Sequence, residues 1–221
     1  MFATSKQSKK GLRALGRDAG GQSIVELALA LPFMVAIVVG SFAVGLLMER
    51  QLSSTQLVRH AGKMYARAVD FDDINGPARR LMVDAAGAMQ LSTAKGTCDA
   101  DVKSVIYLTQ VQITPDTPPG TFANEGQPVM MHRTLLGNSC VDASALGTLP
   151  DTIWDPNDPD DPGAVTDPFN ESAAVAAVPA TLASGLIPGE TVFVVEVIHE
   201  PTDLLFPGIV APERMYNQGF F

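Results

Sequence analysis

The chain has 221 residues, of which 46% are hydrophobic and 18% are charged, and its mean hydropathy is +0.16. This composition is too apolar for a disordered chain and too polar for a protein with many membrane spans. The net charge of -9 argues against a general nucleic-acid binder, because neutralising phosphates requires an excess of Lys and Arg. The length favours one domain with an appended segment.

Positive charge is concentrated at the start of the chain. Residues 1–21 carry a net side-chain charge of +4, which leaves -13 on the remaining 200 residues. A basic leader before an acidic body suggests that the two parts lie in different compartments. The positive-inside rule would keep this leader in the cytoplasm. However, the leader has five Lys and Arg residues and the 21 residues after the apolar run have four. Charge alone therefore does not decide the orientation of the chain in the membrane.

A long apolar run follows the basic leader. The 22 residues from Leu27 to Met48 include no charged side chain. As a helix rising about 1.5 Å per residue they would span roughly 33 Å, which is enough to cross a bilayer. A buried core helix is the alternative, but cores rarely need an uninterrupted apolar run of this length. We therefore predict a transmembrane helix at residues 22–48.

The next segment has the pattern of an amphipathic helix. In residues 49–70 one apolar face is formed by Leu57, Ala61, Tyr65 and Ala68, which recur at spacings of three and four. Polar and basic side chains fill the other face. The sequence therefore predicts that the membrane helix continues into an amphipathic extension.

Residues 71–221 have the pattern of a small folded head. After a turn, a short helix is predicted at residues 78–91, and alternating β-branched residues predict a strand at 105–113. A second strand is predicted at 128–136 and a third, the most apolar, at 192–198. The prolines that follow exclude a regular continuation of this last strand. A helix followed by strands predicts an α+β fold with a small antiparallel sheet.

An acidic, proline-rich segment interrupts the head at residues 151–167. Its six Asp and three Pro residues extend the backbone and predict a surface loop. The spacing of Asp158, Asp160 and Gly163 resembles the start of a calcium loop. However, a proline replaces one ligand and the twelfth position is Phe169 instead of Glu. We therefore predict neither a metal site nor a cofactor.

Cys98 and Cys140 are the only cysteines, and their spacing excludes the C-x-x-C patterns of redox and zinc sites. Outside the cytoplasm such a pair is most simply a disulfide, which would stabilise the head by about 3 to 4 kcal/mol in the chain-entropy model. The alternative is two buried free thiols.

The sequence shows no recognisable catalytic motif. Nucleophile-elbow, phosphate-binding, dinucleotide-binding and zinc-protease patterns are all absent. The three histidines are scattered, and His199 is predicted to be a surface residue at a strand end, while His60 and His132 suggest no metal site. We therefore expect a protein that is not an enzyme.

The junction between the leader and the apolar run carries the most information. Gly20 and Gly21 end the basic leader, Gln22 follows, and Glu26 stands alone at the head of the span. An ionisable side chain bordering a membrane segment is expensive and suggests a function, although a group so near the edge can partly reach the interface.

This junction resembles a type IV prepilin, and G-Q-S-I-V-E-L-A-L-A-L-P-F with the following helix resembles TadE-like pseudopilins of the tight-adherence (Tad/Flp) pilus. The resemblance covers about residues 20–70, with a weaker similarity at VFVVEVIHEPTDLLFPG, which looks like that family's closing strand and tail. It implies that a prepilin peptidase cuts between Gly21 and Gln22. It also implies that Glu26 pairs with the free N-terminal amine of a neighbouring subunit during assembly.

Within the span, Pro32 lies six residues after Glu26, as in the family's common pattern, and would bend the helix. Two pairs of small residues at a spacing of four are suited to close helix contact, or simply reflect the abundance of small residues in membrane helices. These pairs are Ala36 with Gly40 and Ser41 with Gly45.

Together with the apolar run, this resemblance implies a minor pilin or pseudopilin with a cytoplasmic leader, a single inner-membrane span and a periplasmic head. Its expected partners are a prepilin peptidase, other pilin and pseudopilin subunits, the inner-membrane pilus assembly machinery and membrane lipid. One alternative is an uncleaved, signal-anchored envelope protein with a binding or scaffolding head. Another is a secreted protein cut after Ser41-Phe42-Ala43, which would begin at Val44.

Overall fold

A computed structural model describes residues 15–93, 98–99, 101–116, 118–155, 162–201 and 212–221, with the backbone alone described for residues 15–22 and 88. The chain divides into two units, Met1–Leu46 and Leu47–Phe221. The predicted α+β class is confirmed, because a long helix precedes an antiparallel sheet with a few short helices.

Helix α1 spans Leu15–Tyr65 without interruption and therefore belongs to both units. It ends five residues before the predicted limit at Asp70. Ala68 adopts a left-handed backbone with φ of 57°, its N–H donates to Tyr65 O, and the Val69 N–H donates to Met64 O. These bonds form a Schellman motif, in which a left-handed residue closes the last turn of a helix. Ala68 consequently lies outside the helical face that the sequence assigned to it.

The sheet in the described residues has four strands in the order β2-β1-β3-β4, and every neighbouring pair is antiparallel. The strands are β1 Ser104–Ile113, β2 Pro128–Gly137, β3 Thr191–His199 and β4 Met215–Phe220. The first three lie within a residue of their predicted positions, because their β-branched and apolar residues favour a strand with covered faces.

Strand β4 was not predicted. Its sequence MYNQGF is short and has Asn217, Gln218 and Gly219 at its centre, and it follows the prolines that were expected to end regular structure. It pairs with β3 from Val194↔Phe220 to His199↔Met215. The family resemblance implied that β3 is the closing strand of the fold. This expectation was wrong, because β4 follows β3 in the chain and pairs with it.

One face of the sheet packs against helices. Leu57, Val58, Ala61 and Tyr65 of α1 are buried at 8% exposure or less in one apolar cluster with strand residues. Helix α2, Pro77–Ala86, contributes to the same cluster. The predicted burial of Leu57, Ala61 and Tyr65 along one face is thereby confirmed.

The opposite face of the sheet is covered by loops and irregular segments. Val111, Val192 and Val194 pack there with apolar residues of the connection between β2 and β3. A smaller cluster on the same face contains Val105 and Ile198. Strands β1 and β3 are therefore buried on both faces, which accounts for their nearly continuous apolar sequences.

Gly137, at the end of β2, has a backbone that only glycine adopts easily. Its φ is +91°, and a Cβ atom at this position would collide with the Ser104 carbonyl oxygen of the neighbouring strand. Gly126 has a similar φ of +69°, but a Cβ atom there would meet no atom within 4 Å. Comparing substitutions at the two glycines therefore distinguishes the cost of backbone strain from the cost of a steric collision.

We predict that Gly137→Ala destabilises the head by more than about 3 kcal/mol, because the collision adds to left-handed strain. Gly126→Ala should cost about 1 to 2 kcal/mol from the backbone alone. Chemical unfolding of the full chain in detergent, followed by tryptophan fluorescence, measures both. Equal losses for the two variants would contradict the packing described for Gly137.

Candidate functional site

The first half of α1 exposes large apolar side chains. Ile24, Phe33, Ile37 and Val38 are between 67% and 70% exposed. The most apolar 18-residue window has a mean hydropathy of 2.5, with 6% of its residues buried. Each such side chain loses about 1.5 to 3 kcal/mol of favourable burial when it stays in water. This helix is therefore compatible with a single-pass membrane anchor.

The residues predicted for processing and assembly all lie on this helix. Gly21 and Gln22 fall within its backbone, Glu26 is exposed one turn further on, and Pro32 is inside the helix. Proline removes the N–H that would bond to the carbonyl four residues earlier, so the backbone ladder is interrupted near Glu26.

The two predicted small pairs also lie on this part of α1. Ala36 and Ser41 are exposed, and a Cβ atom at Gly40 or Gly45 would meet nothing within 4 Å in the described chain. Both glycines therefore leave open surface where another helix backbone could approach closely.

The second half of α1 is attached to the head by polar contacts as well as by its apolar face. Gln51 Nε2 donates to Asn217 Oδ1 over 3.2 Å, and Asn217 Nδ2 donates to the buried hydroxyl of Ser54. Asn217 belongs to β4, the strand that the sequence did not predict. This strand therefore supplies one side of the attachment.

A polar cluster formed by Tyr65, Asp72, His132 and Thr134 surrounds the end of α1. Nδ1 of His132 lies 3.0 Å from the Tyr65 hydroxyl, and its Nε2 lies 3.3 Å from Asp72 Oδ2. The Thr134 hydroxyl donates to Asp72 Oδ1 over 2.6 Å. One histidine on β2 thus connects the last residue of the helix to the segment that follows it. The sequence suggested no role for His132, because its partners are distant in the chain.

A second polar network is buried on the loop-covered face of the sheet. The Glu196 carboxylate accepts hydrogen bonds from the Ser144 hydroxyl, from Ala145 N over 2.8 Å and from the Tyr216 hydroxyl over 2.8 Å. Arg133 donates to Ser144 Oγ over 3.1 Å. Ser144 therefore links a buried guanidinium to a buried carboxylate and attaches its loop to the sheet.

Burial changes the acid–base behaviour of this network. Desolvation lowers the pKa of Arg133 to about 10, against the opposing effect of Glu196, so the side chain remains cationic at neutral pH. Burial raises the pKa of Tyr107 to about 12. The pKa of Tyr216 is raised by burial, then by the charge of Glu196 and the hydrogen bond to it.

The predicted disulfide is present. Cys98 and Cys140 are bonded, with their Cα atoms 5.3 Å apart and a sequence separation of 42. Asn138 supports the joined segments, because its Nδ2 donates to Asp99 O and Val102 O, and its Oδ1 accepts from Cys140 N. The alternative of two buried free thiols is excluded.

The sequence-based interpretation of His199 was wrong. Its side chain has 0% exposure, and its Nδ1 lies 2.9 Å from the equally buried hydroxyl of Ser104. The residue ends β3, but that end is covered and not open to solvent. His60, by contrast, is exposed on α1 as predicted.

The acidic loop at residues 151–167 is only partly described. Asp158 and Asp160 lie outside the described residues, so the calcium-like spacing remains a prediction of the sequence alone. At its ends the loop is packed, since Trp154 and Val165 form an isolated β-bridge and Val165 is 6% exposed. Across the parts of the chain that are described, no group of three or more His, Cys, Asp or Glu residues could hold a metal ion.

Taken together, one apolar helix compatible with a membrane anchor continues into a small, disulfide-bonded α+β domain. Residues 21–62 match the TadE family, described as TadE-like protein. The predicted resemblance is thereby confirmed for this segment, which covers α1 from the leader junction into the part packed on the head. No curated protein and no solved structure matches the chain.

We predict that removing the disulfide by the double substitution Cys98→Ser and Cys140→Ser lowers the free energy of unfolding by about 3 to 4 kcal/mol, because the open chain has more unfolded conformations. Denaturant titrations of the full chain with and without a reductant measure this loss. The reductant should destabilise the unsubstituted protein and leave the double variant unchanged. A reductant effect of equal size on both proteins would contradict a structural role for this bond.

Proposed function

We propose that this protein is a minor pilin or pseudopilin that takes part in the assembly, initiation or tip complex of a Tad/Flp-type pilus. The observation that carries the proposal is the TadE-like match over the same helix that exposes an apolar first half and buries its second half in the head. Such a helix suits a subunit that is stored in a membrane and then packed beside other helices. Assembly, and not catalysis, would be its function.

Processing by a prepilin peptidase would come first. The basic residues 1–21 would lie in the cytoplasm, and cleavage between Gly21 and Gln22 would leave residues 22–48 in the inner membrane. The head, residues 71–221, would then lie in the periplasm. Its disulfide supports this placement, because disulfides persist in oxidising compartments.

Glu26 would guide assembly. In the proposed filament its carboxylate pairs with the N-terminal amine of Gln22 on a neighbouring subunit, since opposite charges reduce each other's desolvation cost in an apolar environment. The small pairs Ala36 with Gly40 and Ser41 with Gly45 would allow neighbouring helices to approach. The partners would be other pilin and pseudopilin subunits, delivered by the inner-membrane pilus assembly machinery.

The N-terminus of the membrane-extracted protein tests processing directly. Mass spectrometry should find a protein that begins at Gln22 in cells with their prepilin peptidase, and at Met1 in cells without it. A start at Met1 in both strains would contradict processing and favour a static anchor. A start at Val44 would indicate a secreted domain. A Gln22 that has cyclised and lost its amine would contradict the proposed pairing with Glu26.

Glu26→Gln should leave membrane insertion intact and strongly reduce incorporation into filaments, because the amide keeps the size of the side chain and removes its charge. Glu49→Gln is the matched control, since Glu49 lies on the same helix at the other end of the apolar run. Both variants would be expressed in a strain that lacks the native protein. The amount of each variant in sheared pili would be measured by immunoblot. Normal incorporation of Glu26→Gln would contradict the proposed charge pairing between Glu26 and the N-terminal amine of a neighbouring subunit.

A further inference from the structure

A cavity of about 330 Å³ lies in the head, on the face of the sheet opposite α1. Tyr107, Arg133 and Leu135 line it from strands β1 and β2, and the loop after β2 lines the other side, including Leu149 and Trp154. Ligand pockets of small molecules begin at about this volume and combine mostly apolar walls with a few polar groups. The cavity therefore has room for one small ligand.

Arg133 is the buried cation among the residues that line this cavity. Its side chain is 2% exposed, and its guanidinium carbon lies 5.6 Å from the centre of the Tyr107 ring. Nε donates to Thr109 Oγ1, Nη1 to Gly147 O, and Nη2 to Ser144 Oγ and to the sulfur of Met130. All four acceptors are neutral.

A guanidinium has five N–H donors, so in the described part of the chain one hydrogen on Nη1 remains after these four bonds. A buried donor gains most from a charged acceptor, because charge-assisted bonds are about twice as strong as neutral ones. Glu196 reaches the guanidinium only through Ser144 in the described network. The positive charge therefore faces a mostly apolar space without a carboxylate in direct contact.

The aromatic and aliphatic walls define the rest of the ligand. The Trp154 indole is held at the cavity by its Nε1–H, which donates to Arg133 O over 3.0 Å. Its ring, with Leu135 and Leu149, offers apolar contact to a flat or short aliphatic group. Asp151 also lines the cavity, but it is exposed, so water screens its repulsion of an anion.

We infer that this cavity binds a small organic anion, a carboxylate carried on an apolar body about the size of one aromatic ring. The carboxylate would accept a hydrogen bond from the remaining Nη1–H of Arg133, and the apolar body would lie against Trp154 and Leu149. This inference concerns the head alone and does not depend on the proposed assembly function.

Trp154 is the only tryptophan of the chain, so its fluorescence reports on this cavity directly. Phenylacetate titrated into the full chain in detergent should change this fluorescence saturably, with a dissociation constant on the order of 0.1 to 1 mM, as expected of a ligand this small. Its neutral isostere phenylacetamide should bind at least about tenfold more weakly, because it lacks the charge that Arg133 recognises. Equal binding of the two compounds, or no saturable change with phenylacetate, would overturn the proposal.

Two exposed positions test the site without disturbing the buried network. Thr148→Phe should fill the cavity entrance and abolish saturable binding of phenylacetate. Asp151→Asn should tighten binding roughly twofold to fivefold by removing a repelling surface charge. Asp84→Asn is the matched control, because this Asp is also exposed but lies on α2, on the other face of the sheet, and should leave binding unchanged. Unchanged binding in Thr148→Phe, or the same tightening in Asp84→Asn, would contradict the assignment.

Arg133→Lys tests the contribution of the guanidinium itself. Lysine keeps the charge but lacks the planar arrangement of donors, so binding of phenylacetate should fall by at least about tenfold while phenylacetamide changes little. Far-ultraviolet circular dichroism tests whether this variant is folded. If it does not fold, the Thr148→Phe and Asp151→Asn results decide the proposal.

Discussion

The structure depends on a single helix whose two halves meet different requirements. From Ser23 to Val39 every side chain of α1 is exposed, including a series of large apolar residues. From Ser54 to Tyr65 the apolar residues fall on one face, and that face is buried against the sheet. The first half needs an apolar environment that the described residues do not supply, and the second half is part of the core of the head.

Because α1 supplies only one buried face, the two faces of the sheet are covered differently, one by helices and the other by loops. On one side α1 and α2 supply an apolar surface, and Leu57 and Tyr65 of α1 belong to one buried cluster with residues of all three longer strands. On the other side the loops must do the same without regular structure. They use the Glu196 carboxylate bound by Ser144 and the Arg133 guanidinium bound to neutral acceptors. Buried polar groups of this kind specify one arrangement only when their hydrogen bonds are satisfied.

Features that arise from local pattern could be predicted from the sequence. The three longer strands follow from β-branched and apolar runs, and the buried face of α1 follows from spacings of three and four. Strand β4 could not be predicted, because Asn217 and Gly219 disfavour a strand and the segment forms through its pairing with β3. The cluster of Asp72, His132 and Tyr65 was missed for a similar reason. Its members come from three segments, and only the fold brings them together.

The buried charged residues could have been recognised from the sequence. Glu196 stands inside the apolar strand VFVVEVI, and Arg133 stands inside VMMHRTLL. A charged residue at an inward position of a strand that is covered on both faces requires a partner, so both residues could have been selected as members of a buried network. Their shared partner, Ser144, lies in a loop whose sequence has no comparable pattern. The disulfide could be predicted because only two cysteines exist.

The second half of α1 and the sheet form one folded unit. Hydrogen exchange of the full chain in detergent, followed by mass spectrometry across a denaturant series, tests this most directly. We expect amides of residues 54–65 to be protected as strongly as those of β1 and β3, and to lose protection at the same denaturant concentration. Loss of protection in residues 54–65 while β1 and β3 stay protected would contradict the account.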